Sequence, residues 1–575
     1  MKIEIIRHSL SHMMATAVQE LFPGVKLGIG PAIENGFYYD FDLKKSFTPE
    51  DLPIIEKKMK QIIQKDVVFK KKTISKEEAK KLFKDQPYKL ELIEELPDQK
   101  VSIYESGKFV DLCRGPHIKS SKEIPKGSFK LVKIAGAYWR GSEKRPMLQR
   151  IYGLAFASKK ELDNFLKLQE ESEKRDHRKL GKELDLFSIK EEVGPGLVLW
   201  HPKGSILRGI IEDFWRKEHE KRGYQYVYTP HIANLDLWKQ SGHTDFYQEN
   251  MYPAMRIDEV DYQLKPMNCL AHVHIYKDQI RSYRDLPIRY CELGTVYRYE
   301  KSGVLHGILR PRGFTQDDSH IFCSPDQISE EVEGVLDFTV FLLSTFGFKK
   351  YETDLSVRDP KSKSKYLGDD KVWQKAEKAL EYVLKKKKIK YRRVEGEAVF
   401  YGPKIDIKLV DAIGRPWQGP TIQVDFNFPE KFDLNFVNRK GRKQRVVMIH
   451  RTILGSMERF VGVLIEHYGG ALPFWLAPVQ IYVIPVGSMH QKYALEIAKE
   501  LNKEGLRVEL KDEAETVSKK IREGEMQKIP YLLVVGDKEI KGKSVRIRER
   551  QKGDIGIMKT DKFIKGIKDK IKNKK

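Results

Sequence analysis

The chain has 575 residues, too many for one hydrophobic core, so about three or four domains are expected. With 40% hydrophobic and 33% charged residues it reads as globular. No apolar run reaches the ~18 residues that span a bilayer, and the start, MKIEIIRHSLSHMMATAV, lacks the layout of a signal or transit peptide. A membrane is excluded and the cytoplasm is the expected location. The formal charge of +24 favours a polyanionic partner such as nucleic acid, although lysine-rich faces also serve solubility alone.

Residues 1–155 mix helix and strand patterns. HSLSHMMATAVQELF has apolar residues at helical spacing, and its His8 and His12, four apart, share one face. GFYYDFDL alternates as a strand does. DLCRGPH sets Cys113 four residues before His117. His-x-x-x-His followed by Cys-x-x-x-His has zinc-ligand spacing, and on chemistry alone a metal site and none are equally open. The other cysteines, Cys269, Cys291 and Cys323, bring the total to four, too sparse for a disulfide framework; reduced or metal-bound thiols are expected. From Ser158 to Leu184 the composition predicts one long charged helix, a solvent-exposed bridge across residues 156–185. Between 186 and 477, YQYVYTP, PIRYCELGTVYRY, FTQDDSHIF, IQVDFNF and QRVVMIH read as strands. Their frequency and hairpin-like junctions favour an antiparallel sheet. From 478 to 575 strands and helices alternate, which predicts a small α/β domain with a mostly parallel sheet.

The stretch Arg298–His320, RYEKSGVLHGILRPRGFTQDDSH, carries the most chemistry. Alternation along a strand directs Gln316, Asp318 and His320 to one face. Arg310 and Arg312 share that parity unless Gly313 introduces a bulge. Arginines at one end and Gln, Asp and His at the other suit a substrate with phosphates and an amino group. A solvated basic hairpin would have the same composition.

This stretch resembles motif 2 of class II aminoacyl-tRNA synthetases. GYQYVYTPHIANLDLWKQSGH, with Pro230, resembles motif 1, which builds a dimer interface, and GSMERFVGVLIEHYGGALPFWLAP, with Arg459, resembles motif 3. Leu186–Pro478 as a whole is similar to the threonyl-tRNA synthetase family. The resemblance implies a fold class of α+β and α/β, multidomain: an antiparallel-sheet catalytic domain between an N-terminal α+β editing domain and a C-terminal α/β anticodon-binding domain. It implies that ATP and L-threonine form an adenylate, that the threonyl group passes to tRNA(Thr), and that the enzyme is a homodimer.

Cys269, His320 and His450 are far apart in sequence and show no local metal motif, and isolated Cys and His are usually packing residues. The resemblance nevertheless implies that they hold a catalytic-domain zinc. Zinc would solve a selection problem: an apolar pocket separates isosteric threonine and valine by only ~10²-fold. Gln316, Asp318, Tyr401 and Gln423 resemble the family's threonine contacts. Arg298, Arg310 and Arg459 resemble its contacts to ATP, which comes with Mg²⁺, and Lys404 in YGPKID is near the substrates.

Residues 1–155, closed by AGAYWRGSEKRPMLQRIYG, look like the editing domain shared by threonyl- and alanyl-tRNA synthetases. In the threonyl branch His8, His12, Cys113 and His117 would handle water and a mischarged seryl ester without zinc, aided by Asp111, Lys89 and Tyr39. Residues 478–575 resemble the anticodon-binding domain of class IIa synthetases. Glu539 and Arg548 are either anticodon readers or an ordinary surface ion pair, and the tail KFIKGIKDKIKNKK is basic enough to meet phosphates. Two departures stand out. Bacterial-type members usually begin with a small ubiquitin-like domain, whereas here the editing helix starts almost at Met1. The run WQGPTIQ replaces the family's usual W-Q-C-G-T at Gly419 and Pro420. A trans-editing hydrolase or an RNA-binding regulator on the same scaffold are the alternatives; the intact Arg298, Arg459, Cys269, His320 and His450 argue against both.

Overall fold

Ile6, Leu10, Met13, Met14, Ala17 and Val18 recur at helical spacing, and all are buried in the helix Lys2–Leu21. The computed structural model describes residues 2–572 and 574. The chain forms two compact units, divided between Glu170 and Glu171. In the first, helix Lys2–Leu21 packs on helix Asp51–Gln64 and on an antiparallel sheet. That sheet has the order Lys26–Leu27, Gly36–Asp42, Met147–Ala155, Phe129–Tyr138. Phe37, Tyr39 and Phe41 of the GFYYDFD strand are fully buried. A Cβ on Gly153 opposite would stand 2.4 Å from the Phe37 ring, so this strand crossing requires glycine. A separate three-stranded sheet, Phe69–Ser75, Lys100–Ser106, Phe109–Leu112, delivers Asp111 and the loop that follows it.

The expected single bridge helix is instead two, Lys159–Lys174 and His177–Glu183. Asp176 caps the second, accepting from Arg178 N at 2.8 Å. Arg175 donates to the carbonyl of His467 (2.9 Å), and the His177 ring bonds Glu466 Oε1 (2.8 Å). Tertiary anchoring to helix Met457–Tyr468 therefore overrides the continuous helical pattern.

The second unit is built on an eight-stranded sheet. Its order is Gln225–Tyr226, Ile288–Tyr297, Gly313–Cys323, Val447–Thr452, Pro416–Asp425, Lys404–Val410, Tyr351–Val357, Arg392–Glu395. Pairing is antiparallel except at the two outer edges, where it is parallel. YQYVYTP contributes only Gln225–Tyr226 to it, because the Thr229 N–H and hydroxyl turn to Glu292. Cys291 and Cys323 are free thiols of the core behind the sheet.

The C-terminal sheet differs from expectation. Val508–Leu510, Ile481–Pro485 and Tyr531–Val535 pair in parallel, but Ser544–Glu549 and Gly553–Lys559 join antiparallel. Only the short helix Asp537–Gly542 separates Tyr531–Val535 from Ser544–Glu549, too little chain for a parallel crossover.

Residues Gln316, Asp318 and His320 face one side of their strand, so Asp317 and Ser319 face the other. Asp317 Oδ2 accepts from the N–H groups of Ile453 (2.9 Å) and Leu454 (2.6 Å), and Oδ1 accepts from Arg451 Nη1 (3.0 Å). Both side chains are fully buried. Arg451→Met should leave Asp317 without its counter-charge and cost about 3–5 kcal/mol, read as a lowered denaturant midpoint. Adding Asp317→Asn to that variant should recover part of the loss.

Candidate active site

The register across the central sheet sets His320 opposite His450, His450 opposite Gln423, and Gln423 opposite Lys404. The first three line one cleft of about 320 Å³, together with Cys269, Arg298, Arg310, Gln316, Asp318, Tyr401 and Arg459. Lys404 does not line it; its ammonium pairs with Asp406 at 2.9 Å. The strand begins at Gly313, so alternation does not extend to the arginines. Arg310 reaches the cleft from a preceding turn closed by a bridge to His306. Arg312 turns away and donates to the carbonyl of Glu300 (2.9 Å).

Three arginines converge at one end. Arg459 sits in the first turn of helix Met457–Tyr468, capped by Ser456, and its Nε donates to Leu309 O (3.0 Å). Burial, and then the charges of Arg298 and Arg310, lower its pKa. Arg310 has a carboxylate partner in Glu300 (2.9 Å). Arg298 lies over the Phe314 ring, 5.1 Å from its centroid. This end is an anion site with cationic charge to spare.

The other end is polar and buried. Asn268 Nδ2 donates to Asp318 Oδ2 (3.0 Å), and Tyr401 OH donates to Gln423 Oε1 (2.6 Å). Gln316 Oε1 is buried and has no hydrogen-bond partner among the described residues. Burial raises the Asp318 carboxyl, an effect that the nearby His272 and the Asn268 hydrogen bond oppose.

Donor atoms of Cys269, His320 and His450 lie within 4.8 Å of one another, all buried. Burial, then the Asp318 and Asp425 carboxylates, hold the Cys269 thiol well above its usual range. Only a cation beside it would make a thiolate favourable there. His320 Nδ1 is engaged by His272 (2.7 Å) and His450 Nε2 by Asp425 (3.0 Å), leaving one nitrogen on each ring. One sulfur and two imidazole nitrogens in a closed, partly anionic pocket fit a zinc ion with a position left open.

The WQGPT departure also faces this cleft. A Cβ on Gly419 would come within 2.9 Å of Leu409 Cγ and 3.2 Å of Ile407 O. The family's cysteine would require both to shift.

In the first unit, His8 and His12 face the 113–117 loop. Cys113 Sγ lies 3.4 Å from His8 Nε2 and 3.2 Å from His117 Nε2, and donors from all four residues lie within 4.8 Å of one another. Gly115 enables the loop: its φ is +75°, and a Cβ would meet Tyr104 OH at 2.3 Å. Behind His12, Asp111 is held by Lys89 Nζ (2.5 Å) and Tyr39 OH (2.6 Å). Burial dominates the electrostatics. It lowers His8, holds His12 well below its usual range and takes His117 down to about 2, while pushing the Cys113 thiol up to about 11. At neutral pH the cluster is uncharged: three imidazoles, each with one acceptor nitrogen, and a thiol. A cavity bounded by Ile5, His8, Pro31 and Pro116 opens beside it.

The C-terminal candidates do not pair with each other. Glu539 is buried and accepts from Gly536 N (3.0 Å), whereas Arg548 reaches Glu525 (3.4 Å).

Sequence reasoning missed Asn268, His272, Glu292 and Ser9. Ser9 Oγ donates to Ile5 O and accepts from Ile118 N, so His117 Nδ1, at 3.0 Å, donates to it. His272 had a readable signal, since it follows Cys269 by one helical turn. Nothing in the sequence marks Asn268, which precedes helix Cys269–Lys277, or Glu292, which strand register sets opposite Asp318.

Comparison with known proteins agrees with this geometry. Residues 252–468 match the family model "tRNA synthetase class II core domain (G, H, P, S and T)". Residues 480–570 match "Anticodon binding domain" and residues 101–152 match "Threonyl and Alanyl tRNA synthetase second additional domain". The threonine–tRNA ligase of Dehalococcoides mccartyi strain 195 is 56% identical over 572 residues, covering 100% of this chain and 97% of that protein. That of Acidobacterium capsulatum is 52% identical, covering 98% of this chain and 83% of its own length. Among solved structures, the RNA binding domain of threonyl-tRNA synthetase from Cryptosporidium parvum superposes with a TM-score of 0.65 at 41% identity, covering 68% of this chain and 98% of that one. Identity of this degree over the full chain shows that it belongs to the threonine–tRNA ligases, class II aminoacyl-tRNA synthetases.

Proposed function

We propose that the central cleft activates threonine, with the ATP phosphates at the arginine end and the amino acid at the Cys269–His320–His450 end. The observation that carries this reading is the convergence of every substrate candidate except Lys404 on one cleft. The threonine carboxylate attacks the α-phosphorus of Mg²⁺-bound ATP, forming the adenylate as pyrophosphate leaves. Arg298, Arg310 and Arg459 stabilise the charge that develops on the phosphoryl oxygens. Gln316 and Asp318 offer acceptors for the substrate's amino and hydroxyl hydrogens, and Tyr401 with Gln423 closes the side of the pocket. Zinc, when bound by Cys269, His320 and His450, supplies open coordination positions for those same two groups, which valine cannot satisfy. A terminal ribose hydroxyl of tRNA(Thr) then attacks the threonyl carbonyl and AMP leaves, without a protein nucleophile. Cys269→Ala should lose zinc and, with it, threonine-dependent pyrophosphate exchange, while ATP binding changes less. A zinc-free wild type with full exchange activity would overturn the zinc assignment.

Serine retains the amino and hydroxyl groups and lacks one methyl, which limits discrimination to roughly 10–200-fold. The neutral cluster of His8, His12, Cys113 and His117 therefore serves as a hydrolytic site for seryl-tRNA(Thr). Its neutral imidazoles orient water as hydrogen-bond acceptors, and Lys89, Asp111 and Tyr39 fix His12 from behind. A thiol held up to about 11 supports this over a cysteine nucleophile. Changing both His8 and His12 to Ala should leave threonine activation intact and abolish hydrolysis of preformed seryl-tRNA. Equal hydrolysis by variant and wild type would sink the assignment.

The chain acts as a homodimer in the cytoplasm, binding its tRNA partly through residues 478–575. Tyr228, in the motif 1 segment, is 84% exposed in the single chain, which suits a subunit contact, while Trp238 nearby is core. Sedimentation should give a dimer, and an active monomer would refute this. Among the described residues no helix is long and apolar enough to cross a membrane.

A further inference from the structure

His272 is fully buried on helix Cys269–Lys277, three residues after the cysteine of the candidate zinc site. Its Nδ1 lies 2.7 Å from His320 Nδ1, and its Nε2 lies 3.2 Å from Glu292 Oε1. Glu292 stands on the neighbouring strand, opposite Asp318.

Hydrogen-bond directions along this chain follow from the far end. Lys265 Nζ donates to Thr229 Oγ1 (2.7 Å), so the Thr229 hydroxyl proton is free to go to Glu292 Oε1 (2.7 Å). Thr229 N–H donates to Glu292 Oε2 (3.1 Å), and the Lys265 ammonium stands 3.8 Å from Oε1. Glu292 thus meets donors at each of these contacts and acts as an ionised acceptor, so His272 Nε2 carries the proton between them. The two facing Nδ1 atoms share a single proton. If His320 ligates through Nε2, that proton sits on His320 Nδ1 and is accepted by His272 Nδ1, which leaves the His320 Nε2 lone pair for the pocket shared with Cys269 and His450.

We propose that His272 and Glu292 are positioning residues, a two-step relay that fixes the tautomer and ring orientation of His320 for metal binding. A carboxylate behind a ligating imidazole commonly does this directly; here a second imidazole spans the gap between the carboxylate and the ligand. The relay starts at Thr229, next to Pro230 in the motif 1 segment, and so ties the ligand to a different stretch of chain from the one that bears it. The inference rests on the zinc reading of Cys269, His320 and His450.

The test measures zinc affinity of the full chain by competition with a chromophoric chelator, for wild type, Glu292→Gln, His272→Leu and the double variant. Wild type is measured first: failure to retain zinc there would defeat the metal site itself, whatever the relay does. Given a zinc-binding wild type, each single variant should bind 10–100-fold more weakly. The double variant should be no weaker than His272→Leu, because elements in series do not add. Unfolding midpoints of the zinc-free proteins should stay close to wild type for Glu292→Gln, which a purely structural role would not allow. Wild-type affinity in Glu292→Gln, or fully additive losses, would overturn the relay. If His272→Leu fails to fold, the affinity and zinc-free midpoint of Glu292→Gln decide alone.

Discussion

The antiparallel register between Gly313–Cys323 and Val447–Thr452 is the constraint on which the central site depends. It sets His320 directly across from His450, bringing together two candidate metal ligands from distant parts of the chain. The Asp317–Arg451 pair, buried on the opposite face, holds that register. Asp317 also receives two backbone N–H groups from the turn that leads into helix Met457–Tyr468, and the first turn of that helix delivers Arg459. One buried carboxylate therefore couples the Cys269–His320–His450 end of the cleft to its arginine end.

The two candidate sites handle burial in opposite ways. In the central cleft, among the described residues, the Arg298 and Arg459 cations have no acidic side-chain partner of their own while Arg310 is paired with Glu300, which makes the surface attractive to a polyanion. In the N-terminal cluster desolvation has removed charge from every member, and the compensating ion pair, Lys89 with Asp111, lies one layer behind. The first arrangement suits phosphoryl chemistry, where charge develops on the substrate. The second suits holding a water against an ester through hydrogen bonds to uncharged imidazoles.

Much of this was legible in the sequence. Period-two alternation assigned Gln316, Asp318 and His320 to one face, and four-residue spacing assigned His8 with His12. Alternation failed at Arg310 and Arg312 because the strand starts after them. The bridge was misread as one helix because composition does not reveal that Asp176 caps a new one or that Glu466 anchors His177. The small C-terminal sheet looked parallel because its first three strands are; the final hairpin follows from a connection too short to cross over. Asn268 and Glu292 were invisible because their partners come from distant segments, Asn268 meeting Asp318 from the start of a helix and Glu292 through strand pairing, rather than from spacing along the chain.

The alternation that builds the central site also limits how the lineage can vary. Recognition residues and the buried pair occupy opposite faces of the same two strands, so inserting or deleting one residue within 314–320 would exchange them. Asp317 would enter the cleft, and a ligand would be lost to the core. Connecting segments such as 358–369 lie outside the strands, so a change of length there leaves the register intact. Changes of amino-acid preference in descendants of this scaffold can then arise by substitution at fixed register, one side chain at a time.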